Sequence, residues 1–319
     1  MSREKFEIFA FSFGPNEKDK WRKRASLSFD QFLDVRLKSD SEISSISREM
    51  EIDIAVNLGG YTQDSRTGVF ANLAAPIQVN FLGFPGTMGA AYIDYLVADH
   101  SLITSENENH FSEKIVYMPH SYQSNLSVRE ISNKILSRQE LGLPENGFIF
   151  CCFNNTFKIT PIVFDSWARI LKGVENSVMM IYVSNKLAQK NLIKEIKLRG
   201  ISPERLVFGE QIQRNEYLDR YRLADLFLDT FPYNAGTTAS DALKMGLPLL
   251  TLKGDSFNSR EAANIVNAVN LPEMVTSSKE EYESLAIELA NNPNKFRVIK
   301  EKLVDNLSKA PLYLSLIHI

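Results

Sequence analysis

Residues 223–264 read LADLFLDTFPYNAGTTASDALKMGLPLLTLKGDSFNSREAAN, and this stretch decides the fold. The apolar run 226–228 indicates a buried strand, and a turn of small and polar residues separates it from a helix pattern starting near Thr237. The first backbone N–H groups of a helix have no partner inside the helix, and its dipole places positive charge there. The stretch therefore predicts a strand-to-helix turn that binds an anion such as phosphate.

A second junction of the same kind carries Lys158. The apolar run 148–153 predicts another strand, and Pro161 favours the first position of the helix that follows. A lysine beside a helix N-terminus would help to hold a departing diphosphate. A solvated loop lysine is an equally acceptable interpretation of the sequence alone.

The helix after the first turn carries groups suited to a nucleotide. Thr237 and Thr238 can donate hydrogen bonds to phosphate oxygens, and Asp241, one turn further on, could reach a ribose hydroxyl. An ordinary capped helix is the alternative interpretation.

The segment before the first turn offers a contact for a base. Arg214, Tyr217 and Arg220 recur at intervals of three, which places them on one face of a helix. An aromatic ring and guanidinium groups could sandwich a base there, although a solvated helix face is an equally good interpretation.

Strand and helix patterns alternate along the whole chain, which predicts an α/β fold with doubly wound parallel sheets. Segments 5–13 and 52–58 read as strands with a helix at 39–50 between them, and the pattern resumes after residue 147. The expected organisation is an N-terminal lobe (1–125), a linker (126–146), a C-terminal nucleotide-sugar-binding lobe (147–300), and a C-terminal helix with an atypical tail (301–319). Two lobes suit 319 residues of 44% hydrophobic content.

Composition excludes several classes of partner and compartment. A net charge of −3 and a pI near 5.9 argue against nucleic acid binding. No apolar run approaches the roughly 20 residues needed to cross a bilayer, so no membrane partner is expected. The two cysteines are adjacent, Cys151 and Cys152, which suggests a reducing compartment, and we expect the protein in the cytoplasm.

Known metal and nucleophile patterns are also missing from the sequence. The four histidines, at 100, 110, 120 and 318, have no metal-ligand spacing, and the chain has neither a Gly-x-Ser-x-Gly elbow nor a P-loop. The spacing argues against a bound metal, and the missing motifs argue against a hydrolase of that class and a P-loop enzyme. No cofactor is expected.

Several motifs together resemble the catalytic region of protein O-GlcNAc transferases, glycosyltransferase family 41, in particular its bacterial and Spindly-like branches. The motifs are NLGGYT (57–62), APIQ (75–78), LGFPGT (82–87), FNN (153–155) with Lys158, LAD (223–225) through Asp229, the Thr237–Thr238 pair, and SR-x-AA (259–263). This resemblance implies two Rossmann-like lobes of the GT-B type facing a cleft. It also implies metal-independent, inverting transfer of N-acetylglucosamine from UDP-GlcNAc, the donor substrate, to Ser/Thr hydroxyls of acceptor proteins.

The resemblance assigns roles by position. Lys158 matches the catalytic lysine that stabilises the leaving diphosphate. The remaining matches are the donor-binding positions Asn155, Arg214, Tyr217, Arg220, Asn234, Gly236, Thr237, Thr238 and Asp241, and a sugar and acceptor loop with Leu82, Gly83 and Pro85.

Departures from the family pattern leave alternatives open. Gly236 and Tyr217 stand where the family usually has histidines, and the glycine is also typical of Spindly-like proteins, some of which use GDP-fucose. A GDP-fucose-dependent O-fucosyltransferase is therefore one alternative. A family segment before the first strand and the N-terminal helical repeats are absent from the 319 residues, so a non-catalytic nucleotide-binding fragment is another. No side chain in the sequence is convincing as the general base.

Overall fold

The computed structural model describes residues 2–17, 19–125, 136–209 and 214–313, except the side chains of 214–216. These residues divide into two compact units. The N-terminal unit comprises the residues up to Ala98 together with Ser105–Met118, and the C-terminal unit comprises Asp99–Thr104 and the residues from Pro119 onward. Residues 126–135 of the expected linker and 314–319 of the expected tail lie outside the described residues.

The N-terminal unit is an α/β structure with a small sheet. Its elements are β1 (Phe9–Ser12), α1 (Lys20–Ser26), β2 (Gln31–Asp34), α2 (Asp40–Glu49), β3 (Ile54–Asn57), α3 (Thr67–Ala71), β4 (Ile77–Asn80), β5 (Tyr95–Asp99) and β6 (Lys114–Met118). Strands β3, β4, β5 and β6 follow one another in the sheet, with β4 parallel to both β3 and β5, while β1 and β2 form a separate parallel pair.

Helix α2 shows why this unit folds locally as it does. Ser39 and Glu42 form a reciprocal capping box at its first turn. Ile43 on its inner face is 3% exposed and packs with Val35 and Val69 in a small apolar cluster. The cap fixes where the helix begins, and the cluster fixes which face it turns to the sheet.

The C-terminal unit is built on a six-stranded sheet in the order β12-β11-β10-β7-β8-β9, with every neighbouring pair parallel. Its elements are β7 (Ile149–Cys152), α4 (Pro161–Gly173), β8 (Val178–Tyr182), α5 (Lys186–Leu198), β9 (Leu206–Gly209), α6 (Arg214–Arg220), β10 (Leu226–Leu228), α7 (Thr237–Lys244), β11 (Leu249–Leu252), α8 (Glu261–Ala268), β12 (Val275–Thr276), α9 (Lys279–Asn291) and α10 (Pro293–Leu307).

Strands β7 and β10 lie at the centre of this sheet and are buried along their whole length. Helix α4 begins with Pro161, is capped by Thr160, and turns Phe164 and Trp167 toward the core. Since the carboxyl ends of parallel strands share one edge, the loops after β7 and β10 meet there. The predicted doubly wound parallel sheet is confirmed in this unit.

No helix among the described residues is long and apolar enough to cross a membrane.

Candidate donor-binding site

The two strand-to-helix junctions expected from the sequence come together in the C-terminal unit. Lys158 lies at the end of a short 3₁₀ turn after β7, and its Nζ donates a 2.7 Å hydrogen bond to the backbone oxygen of Asn234 in the loop after β10. The same ammonium lies 3.8 Å from the centroid of the Tyr233 ring, a cation–π contact. Lys158 is thus held against the turn and is not a freely solvated loop residue.

Asp229 anchors the turn after β10 through hydrogen bonds. Its carboxylate is fully buried and accepts hydrogen bonds from the N–H of Ala235 at 2.8 Å and the hydroxyl of Thr251 at 2.7 Å. Burial raises its pKa to about 6, opposed by these hydrogen bonds and by the charge of Lys158. The carboxylate therefore fixes the turn and adds negative charge near the lysine.

Asn154 connects the end of β7 to both sides of the turn. Its amide nitrogen donates to the hydroxyl of Thr230 at 2.8 Å, and its amide oxygen accepts the Thr238 hydroxyl at 2.5 Å. The side chain is 2% exposed. This buried amide links the end of β7 to the first turn of α7.

The N-terminus of α7 is open. Gly236 occupies the N-cap position, and no side chain caps the helix. Thr237 is exposed and Thr238 is partly exposed, while Asp241 is buried in the second turn. The first backbone N–H groups of the helix and the Thr237 hydroxyl are the chemistry that binds a phosphate, whereas the Thr238 hydroxyl already donates to Asn154.

Charge is balanced around Lys158. Burial lowers the pKa of its ammonium, and the negative charges of Asp229 and Glu261 oppose this. The pKa of Glu261 is raised by burial, although Tyr122 and Lys158 act in the opposite direction. The Lys158 ammonium is thus a partly buried cation near a helix N-terminus, and two acidic groups offset part of its charge.

The predicted base-contacting residues lie on α6, next to this site. The Tyr217 hydroxyl lies 2.6 Å from that of Tyr221, and the Tyr217 ring packs at a tilt against Phe153, with centroids 6.0 Å apart. Arg220 is 2% exposed, so it does not lie on a solvated helix face. The side chain of Arg214 lies outside the described residues, and Asn155 is exposed at the start of the 3₁₀ turn.

The predicted sugar and acceptor loop lies in the N-terminal unit. A Cβ at Gly83 would overlap the Leu58 carbonyl, so this loop packs directly on the backbone after β3. Leu82 takes a positive φ of 74°, and both Leu82 and Pro85 are partly exposed. The roles predicted for these residues stay predictions.

Three residues of the site escape the sequence predictions. Asp229, Asn154 and Glu261 all contact or face the turn, yet none was assigned a role from sequence. An aspartate directly after a buried strand is a usable signal for Asp229. Glu261 gives no such signal, because its neighbour Gly236 is distant in the sequence.

Among the described residues, no group of three or more His, Cys, Asp or Glu side chains is arranged to hold a metal ion.

Comparisons with known proteins identify the family of this chain. The model of glycosyl transferase family 41 matches residues 1–125 and 123–317. SEC of Arabidopsis thaliana, named a probable UDP-N-acetylglucosamine–peptide N-acetylglucosaminyltransferase, is 35% identical over 98% of this chain and 32% of its own length. SPINDLY of Oryza sativa subsp. japonica carries the same probable activity in its name and is 32% identical over 92% of this chain and 32% of its own length.

A solved structure agrees with these relatives. A mutant of the Thermobaculum terrenum O-GlcNAc transferase superposes with a TM-score of 0.88 at 27% identity, covering 99% of this chain and 60% of that one. The chain spans about a third of the length of the curated relatives it matches.

The parallel sheets and the structural neighbours define a glycosyltransferase fold of the GT-B class. More specifically, the chain belongs to glycosyl transferase family 41. The family resemblance and the fold class expected from the sequence motifs are both confirmed.

Proposed function

We propose that this chain is the catalytic region of an inverting transferase that moves N-acetylglucosamine from UDP-GlcNAc to Ser/Thr hydroxyls of proteins. One observation carries the proposal: the Lys158 ammonium is fixed beside the uncapped N-terminus of α7. The names of the relatives, which include UDP-N-acetylglucosamine and peptide, support the choice of donor and acceptor. They give no support to GDP-fucose, so we do not advance that alternative.

The reaction requires positive charge where the diphosphate departs. As an acceptor hydroxyl attacks the anomeric carbon from the opposite face, the bond between that carbon and the β-phosphate oxygen breaks and UDP leaves with the bonding electrons. The proton of the hydroxyl passes to an oxygen of the departing diphosphate or to water. Lys158 and the first N–H groups of α7 would stabilise the charge that grows on the diphosphate. Because the surrounding hydrogen bonds hold these donors in advance, little reorganisation is needed during the step.

The other residues receive binding roles in this proposal. Thr237 and Thr238 would bind phosphate oxygens, and Asp241 would accept from the ribose. Tyr217 and Arg220 would contact the base. Leu82, Gly83 and Pro85 would line the sugar and acceptor side.

Two wider expectations belong to the same proposal. Since Lys158 and the helix supply the positive charge, transfer should proceed in the presence of EDTA. A cytoplasmic location is supported by Cys151 and Cys152, which are both buried and form no disulfide.

Replacement of the lysine tests the proposal. Lys158→Ala in the purified protein should lower incorporation of radiolabelled GlcNAc into a mixture of acceptor proteins by about 100-fold or more. The matched control is Lys172→Ala, which removes an exposed lysine from the end of α4 and should leave the rate unchanged. Turnover by Lys158→Ala within a few-fold of the parent, with the fold verified by circular dichroism, would remove the basis of the proposal.

A further inference from the structure

The carboxylate of Glu261 fills the place that a side chain at position 236 would take. A Cβ built on Gly236 would overlap Oε1 of Glu261 and would lie 2.7 Å from its Cδ and 3.1 Å from its Oε2. Glu261 is the first residue of α8, while Gly236 caps α7. The missing side chain of one helix cap is therefore replaced by a carboxylate from a different helix.

A single hydrogen bond orients this carboxylate. Oε1 accepts the Tyr122 hydroxyl at 3.1 Å, and Tyr122 is itself 2% exposed with its ring against Phe257, at a centroid distance of 5.4 Å. Within the described residues, Oε2 has no hydrogen-bond partner, and Glu261 keeps part of its surface exposed. One oxygen is thus used to hold the group in place, and the other can accept a hydrogen bond.

The carboxylate of Glu261 is unsuited to binding a phosphate. An ionised carboxylate repels a phosphate, and Glu261 lies beside the same helix N-terminus and lysine that would attract one. A carboxylate accepts hydrogen bonds only, so its natural partner is a neutral donor such as a hydroxyl. A hydroxyl next to a diphosphate is what the sugar of a nucleotide-sugar offers.

Besides Asp229, two carboxylates lie near the start of α7, and their positions differ. Asp241 is in the second turn of α7, on the side assigned to the ribose, whereas Glu261 lies before the first turn, at the cap. Resting on the proposed function, we propose that Glu261 is a specificity-determining residue whose Oε2 accepts a hydrogen bond from a hydroxyl of the transferred sugar.

Binding of UDP and UDP-GlcNAc by the same variants tests this inference. Glu261→Ala should weaken the binding of UDP-GlcNAc at least about tenfold relative to the binding of UDP. The reason is that the lost hydrogen bond to a charged group forms only when the sugar is present. Glu261→Gln keeps an acceptor oxygen and should lose less affinity for UDP-GlcNAc than Glu261→Ala. Calorimetry on both ligands gives the two ratios, and Glu204→Gln, an exposed carboxylate remote in sequence, is the matched control.

Two further arms identify the hydroxyl and guard against a folding defect. Gly236→Ala should displace the carboxylate and reproduce the selective loss for UDP-GlcNAc without removing the glutamate. Among 3-, 4- and 6-deoxy forms of UDP-GlcNAc, one should bind equally well to the parent and to Glu261→Ala, because the hydroxyl that Glu261 recognises is already missing.

The outcomes separate this inference from the proposed function. If Glu261→Ala changed the affinities for UDP and UDP-GlcNAc equally, in either direction, Glu261 would act only through charge or packing. That result would overturn the inference but not the proposed donor site. Failure of the unsubstituted protein to bind UDP at all would overturn both.

Discussion

The loop after β10 in the C-terminal unit and the loop after β3 in the N-terminal unit are anchored by different chemistry. Below the first, the Asp229 carboxylate accepts from the N–H groups of Thr230 and Ala235 and from the Thr251 hydroxyl. In the second, the partners of the Asn57 amide oxygen among the described residues are two N–H groups of its own loop, at Gly59 and Gly60.

The difference reflects what each loop has to hold. Two carboxylate oxygens can accept from several elements at once, so Asp229 joins its turn to the neighbouring strand β11. Asn57 offers one acceptor oxygen and makes a local turn. The turn after β10, whose Asn234 carbonyl accepts from Lys158, therefore has the stronger anchor. The negative charge of Asp229 also offsets the positive charge of the lysine.

The comparison is tested most strongly by removing the charged anchor. Asp229→Ala removes the acceptor of four hydrogen bonds, two of them from buried N–H groups, and should lower the free energy of unfolding by about 3 to 5 kcal/mol. Urea denaturation followed by Trp167 fluorescence in a Trp21→Phe background reports on the C-terminal unit, because Trp167 lies in its core. A loss below about 1 kcal/mol would show that the carboxylate is not the anchor.

Close backbone packing distinguishes the N-terminal loop. Gly83→Ala should destabilise this unit by about 2 to 3 kcal/mol, since the new Cβ would overlap the backbone carbonyl of Leu58 and not the flexible end of a side chain. Hydrogen exchange of the amides in β3 and β4 measures the effect. Gly86→Ala is the control, because its Cβ would make only an ordinary 3.5 Å contact with Phe84, and equal protection in both variants would contradict the packing argument.

Removing the Asn57 amide should lower the free energy of unfolding less than removing the Asp229 carboxylate. Asn57→Ala breaks two hydrogen bonds within a partly exposed loop, for an expected loss of about 1 to 2 kcal/mol. The same exchange measurement on the Gly59 and Gly60 amides gives the value. A loss equal to that of Asp229→Ala would remove the distinction between the two loops.

Much of the C-terminal unit follows from its sequence. Strands β7 and β10 appear as short apolar runs, and Pro161 marks the start of α4, so the two junctions could be predicted. Parallel strands then require both loops to lie at one edge of the sheet, which explains why Lys158 and Asn234 meet.

The rest depends on contacts that local patterns do not encode. The sequence gives no signal for β2, whose outer residues Gln31 and Asp34 are exposed and polar, so its strand character comes from pairing with β1. Gly236 and Glu261 each look unremarkable in sequence, and only the packing of α8 beside the α7 cap makes them a pair.

The pH dependence of stability offers the finest test of the charged anchor. Burial raises the pKa of Asp229 to about 6, above its ordinary value of 3.8, so the folded protein binds this proton more tightly than the unfolded chain. The resulting stability is fully present below about pH 4 and is lost as the pH rises through about 6. Asp229→Asn has no proton to bind, so comparing it with the parent cancels the other carboxylates. Between pH 7 and pH 5 the parent should gain about 1 kcal/mol relative to Asp229→Asn in urea denaturation. A parallel pH response of the two proteins would mean that Asp229 is ionised throughout this range, and that hydrogen bonding at this anchor outweighs burial.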